Sequence, residues 1–108
     1  MISPDWVRMM ARYNAWQNGL VYDCAERVGA AARQAERGAF FGSIEKTLNH
    51  LLWADRMWMS RFAGTPKPKT GSIAASVGEE ADWATLAAER VAMDRVISDW
   101  AAGWRRAR

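Results

Sequence analysis

The chain has 108 residues, half of them hydrophobic, and 15 Lys+Arg against 12 Asp+Glu give a formal net charge of +3. That length suits one compact core and excludes two ordinary domains, so residues 1–108 are read as a single domain. No run of about 18 apolar residues and no charged-then-apolar leader is seen, which argues against a bilayer span or a secretory signal and makes the cytoplasm the expected setting. Acids and bases interleave along most of the chain. Only Trp104-Arg105-Arg106-Ala107-Arg108 forms a basic cluster, read as a solvated end rather than a nucleic-acid contact.

The first helix starts at Ser3-Pro4-Asp5, where Ser caps, Pro fits the first turn and Asp favours the positive end of the helix dipole. Trp6, Met9, Tyr13, Trp16, Leu20, Cys24 and Val28 then recur at three- and four-residue spacing and define one apolar side. Cys24 is the single cysteine. With no partner for a disulfide and no nearby histidine to activate it, it is read as a buried small apolar residue. Gly29 and Gly38 bracket a fraying end rich in Ala and Arg.

Helix 2 is expected from about Ala39 to Phe62. Its stripe is Phe41, Ile44, Leu48, Leu51, Leu52, Trp58, Met59 and Phe62, and Gly64 ends it. Gly64 to Ser72, GTPKPKTGS, has no apolar periodicity and is a loop long enough to cross a bundle end or flank. Ser76-Val77-Gly78-Glu79 has the form of a capping box for helix 3. In that helix Trp83, Leu86, Arg90, Met93, Ile97, Trp100 and Trp104 form a heptad seam with one polar interruption.

No strand pattern or repeat is present, so the sequence encodes an all-α protein of three long helices. Three amphipathic helices leave an apolar surface that needs a cover, a fourth helix or a second copy of the chain. Seven Trp fit either a Trp-rich core or an exposed surface for a partner.

His50 is the only histidine. On a helical wheel it lies roughly 130° from the Ile44, Leu48, Asp55, Phe62 stripe. Its flank carries Ser43, Thr47, Ala54 and Met57, mostly small side chains that leave room beside the imidazole. Zinc and nickel centres gather three or four converging donors, and Thr47 stands where a Glu-x-x-His pair needs its Glu. Asp55 is about 140° around the helix from His50, so the two cannot chelate one ion. Asp55 is read as a buried partner for Arg90 or for a Trp N–H.

YNAWQNGLVYD (13–23) together with RGAFFGSIEKTLNHLLWADRMWMSRF (37–62) resembles the DinB/YfiT-like superfamily of helical-bundle metalloproteins. The resemblance implies an up-down four-helix bundle with three antiparallel helices supplied here. It implies that His50 is the first ligand of a divalent ion such as zinc or nickel, and that the ancestral activity is a thiol-dependent transferase or hydrolase. The family's two further ligands come from a later His-x-x-x-His. The chain stops at Arg108 before such a motif, so a shortened member, incomplete as a catalyst, is the expectation; the alternative is a non-catalytic helical-bundle module that self-associates as a homodimer.

Overall fold

The computed structural model describes residues 2–105. Three helices carry the fold: α1 (Pro4–Gln34), α2 (Ile44–Ala63) and α3 (Trp83–Gly103), with a 3-10 turn at Ala75–Gly78. The only strand-like pairing among the described residues is one isolated bridge between Ala39 and Gly42. Arg106 to Arg108, most of the basic end singled out in the sequence, lie outside the described residues.

α1 begins as its sequence dictates, with the Ser3 hydroxyl accepting the Trp6 amide and Pro4 in the first turn. Gly29 sits at φ 84° inside the helical span. A side-chain-bearing residue rarely adopts that conformation, so the glycine breaks the axis and a last short turn carries on to Gln34. Arg33 on that turn is buried, and it donates to the Ala25 carbonyl and lies over the Trp83 ring.

The apolar side of α1 is the outward one, contrary to expectation. Trp6, Met9, Tyr13, Trp16, Leu20 and Val28 are all exposed, as is Cys24. The inward face instead carries Ala11, Tyr22 and Ala25, with Asn14 and Asn18 half-buried between them. Short side chains let α1 lie close to α3, and the Asn14 and Asn18 amides donate to the Asp94 carboxylate. The bulky stripe lies roughly 180° from that face by helical spacing.

α2 starts later than the expected Ala39. Ser43 is its N-cap, accepting the Lys46 amide, and Gly64 ends it in the left-handed conformation at φ 68°. Residues 39–43 therefore form a turn ahead of the helix. After Gly64 the chain runs back along α2: Trp53 Nε1 donates to the Thr70 carbonyl, Arg56 pairs with Glu79, and Asn49 Oδ1 accepts the Glu80 amide.

This return overturns two expectations. Ser76 and Glu79 do not cap α3, because both are buried in contacts with α2; the cap is Asp82, which accepts the Thr85 amide. α2 and α3 are parallel rather than antiparallel, since Asp55 meets Arg90 and Phe62 stacks on Trp100. α1 is antiparallel to both, with Asn14 against Asp94, Glu26 against Trp83 and Arg33 near Glu45.

Leu52 and Leu86 are fully buried at the centre, joined by Tyr22, Ala25, Leu48, Met59 and Met93. Leu51, Trp58 and Phe62 of the expected α2 stripe are exposed, whereas Trp53 is buried. The α3 seam is realised: Leu86, Arg90 and Met93 are buried, and Trp83, Ile97, Trp100 and Trp104 half-buried. Tryptophans thus divide between the core and the surface. No helix of the described residues is long and apolar enough to cross a membrane.

Candidate metal-ligand site at His50

His50 lies in the second turn of α2, half-buried, on the flank that faces the returning segment. Of the small neighbours named from the sequence, Ser43 is consumed as the helix cap, and Thr47 Oγ1 donates to the Ser43 carbonyl at 2.8 Å. Ala54 and Met57 are half-buried. The room they leave is not open on every side. The Phe41 ring stacks on the imidazole with centroids 4.0 Å apart, and Trp53 lies at 5.6 Å on a shallow angle. Phe41 reaches this place because it precedes α2 in the turn at Gly42, rather than lying on the helix stripe.

The imidazole is oriented by one hydrogen bond. Its Nδ1 is 2.9 Å from Ser76 Oγ, and Ser76 is fully buried. The Ser76 hydroxyl has a single proton, which it donates to the Ile73 carbonyl. Ser76 therefore accepts from Nδ1–H, which leaves the lone pair of the neutral ring on Nε2. This arrangement holds one nitrogen by a hydrogen bond so that the other is free to ligate. Removing the acceptor is expected to loosen the tautomer: Ser76→Ala should move the His50 ring nitrogen NMR shifts toward a tautomer mixture, and Ser76→Thr should restore them. Unchanged shifts in Ser76→Ala would sink the assignment.

The surrounding charges belong to other tasks. Asp55 is engaged by Arg90, as its position in the stripe suggested, and Asp94 completes that network at 2.8 Å from Arg90 Nη2. Glu79 and Glu80 face Arg56 and Lys69. Burial pushes the Glu79 carboxyl up, but the Lys69 amide, Arg56 and Thr70 together hold it below its ordinary value. Glu80 is likewise lowered, since Lys69 and Arg56 outweigh the effect of burial.

No group of three or more His, Cys, Asp or Glu side chains among the described residues is arranged to hold a metal ion. His50 Nε2 fits one position of a zinc or nickel centre, and the described residues do not supply the other two or three. Cys24, on the α1 groove with Leu20, Val28 and Ile44, belongs to a different surface. A groove of about 670 Å³ between α1 and α3 is lined by Tyr22, Trp83, Arg90 and Asp94 and does not include His50. Within it, burial raises the Tyr22 phenol to about 12.

Sequence reasoning located His50 but missed Phe41, Trp53 and Ser76 around it. The only signal for Ser76 was a local motif that read as a cap. Fold and site together define an all-helical bundle whose second helix presents one oriented imidazole. The chain belongs to the DinB family, whose family model matches residues 4–106. No curated protein and no solved structure matches it.

Proposed function

We propose that this DinB-family chain is a divalent-metal-binding bundle in which His50 Nε2 is one ligand, the remaining donors coming from outside the described residues. The supporting observation is the Ile73 carbonyl–Ser76–His50 relay, which fixes the ring and leaves Nε2 without a hydrogen bond among the described residues. A zinc or nickel ion bound there would supply Lewis-acid activation of a thiol or water. This chain's own part is to hold the imidazole between Phe41 and Trp53 and to keep Nδ1 protonated. The family resemblance supports a thiol-dependent transferase or hydrolase activity, and the lone cysteine agrees with a reducing compartment such as the cytoplasm. One ligand with water elsewhere binds weakly. Titration with zinc or nickel alone should therefore show an affinity in the high-micromolar range or weaker, about tenfold lower or more in His50→Ala. Equal binding by both proteins removes His50 from the site.

A further inference from the structure

The ion network around Arg90 does not balance. Arg90 brings one positive charge, whereas Asp55 and Asp94 bring two negative ones. The Asn14 and Asn18 amides give Asp94 further donors but no charge. Asp94 is 8% exposed, and Arg90 and both amides converge on its Oδ1. Asp55 is different. Arg90 takes its Oδ2, Oδ1 accepts no hydrogen bond among the described residues, and the side chain is 35% exposed. An excess negative charge in a partly dry setting is stabilised by a cation brought close to it, because attraction there is stronger than in bulk water.

Asp55 borders a pocket of about 410 Å³ between the first turns of α1 and the end of α3. Small-molecule sites run from roughly 300 to 1,000 Å³ and set a few polar groups in apolar walls. Here the wall carries three indoles, Trp6 from α1 and Trp100 and Trp104 from the end of α3, with aliphatic side chains between them. Trp6 is 46% exposed, and Trp100 stacks on Phe62. Asn14 also lines the pocket, but its amide nitrogen is given to Asp94 and its oxygen to Asn18. No Lys or Arg lines it among the described residues. Asp55 Oδ1 is therefore the acceptor left for a ligand. Indole faces attract cations, Trp more strongly than the other aromatic side chains, so the carboxylate and the walls select the same charge. A bare calcium or magnesium ion requires about six oxygens or more, which this pocket does not offer, and an organic anion meets like charge. The occupant that fits is an organic cation with an apolar body. His50, about 140° around α2 from Asp55, does not line the pocket.

We infer that this pocket binds a small organic ammonium ion, whose N–H donates to Asp55 Oδ1 and whose hydrocarbon part lies against Trp6, Trp100 and Trp104. Benzylammonium is the probe. Titrated into the full chain at neutral pH, it should bind with a dissociation constant of about 5 mM or lower. The indole N–H signals of Trp6, Trp100 and Trp104 should move, while that of Trp53, held by the Thr70 carbonyl, stays in place. Benzyl alcohol has nearly the same shape without the charge and should bind about tenfold more weakly, since a charge-assisted hydrogen bond is lost. Asp55→Asn should weaken benzylammonium by a similar factor and leave benzyl alcohol unchanged. Trp6→Leu, at an exposed position, should cost about fivefold, and Trp16→Leu, exposed and outside the pocket, nothing. A constant above about 5 mM for benzylammonium overturns the inference. So does equal binding of benzylammonium and benzyl alcohol, which marks a merely apolar crevice, or benzylammonium binding unaffected by Asp55→Asn or by Trp6→Leu. If Asp55→Asn fails to fold, the Trp6→Leu and benzyl alcohol comparisons decide the matter on their own.

Discussion

Replacing Arg90 with alanine is expected to lower the unfolding free energy by about 3–5 kcal/mol, the usual cost of removing one partner from a buried ion pair. Arg90 is only 3% exposed. Its Nη2 binds Asp55, and its Nε and Nη2 both bind Asp94 Oδ1 at 3.1 and 2.8 Å. Asp55 keeps some access to water, so most of the cost falls on Asp94. That carboxylate would be left beneath α1 with only the Asn14 and Asn18 amides as donors. A domain of this size has about 5–15 kcal/mol of stability in total, so the variant should be close to unfolding at physiological temperature. Urea denaturation should show the midpoint falling with an unchanged slope. The double variant Arg90→Met, Asp94→Leu removes both charges and should recover most of the loss, because the penalty lies in the orphaned charge rather than in the missing attraction. A loss below about 1 kcal/mol in Arg90→Ala would show that water reaches the network freely.

This network also marks how far the sequence could be read. An Asp in the middle of the α2 stripe and an Arg in the α3 seam each break an apolar pattern, and a common partner is the simplest way to bury both; the pairing of Asp55 with Arg90 follows. Asp94 adds an i,i+4 contact on the same helix. The choice of face on α1 does not follow from local pattern. Helical periodicity shows that Tyr13, Trp16 and Leu20 share a side, and hydrophobicity alone sends that side inward. What turns α1 the other way is the match of Asn14 and Asn18 to Asp94, some 80 positions later in the chain. The site shows the same limit. His50 was legible because it is unique, whereas its orientation depends on Ser76, 26 residues away. Ser76-Val77-Gly78-Glu79 satisfies the local rule for a capping box, yet long-range contacts with His50 and Arg56 take both polar side chains. The direction of α3 follows from the same segment, since a loop hydrogen-bonded back along α2 delivers the chain to the end where α2 began.

Acidification is expected to release that segment. Glu79 accepts from Arg56, from the Lys69 and Thr70 amides and from the Thr70 hydroxyl, and it is almost wholly buried. Glu80 faces Arg56 and Lys69, and Glu89 adds a third carboxylate to Arg56. Both Glu79 and Glu80 are held below their ordinary value in the fold. Groups with depressed values contribute stability that is present above the ordinary carboxylate range and is lost as pH falls through their folded values. Stability should therefore decline below about pH 4.5. Trp53, whose indole is tied to the Thr70 carbonyl, should report the loss by fluorescence. In Glu79→Gln the Arg56 charge loses its nearest partner at every pH, so the variant should be weaker at pH 7 by about 2–4 kcal/mol and its acid slope shallower. An acid slope identical to that of the unaltered chain would exclude Glu79 as a source of the transition. The consequence extends to His50. Ser76 lies on the segment that Glu79 anchors, so Glu79→Ala should blur the ring-nitrogen signature of His50 at neutral pH without touching the imidazole. A residue with no direct contact to the candidate ligand would then govern how firmly Nε2 is presented.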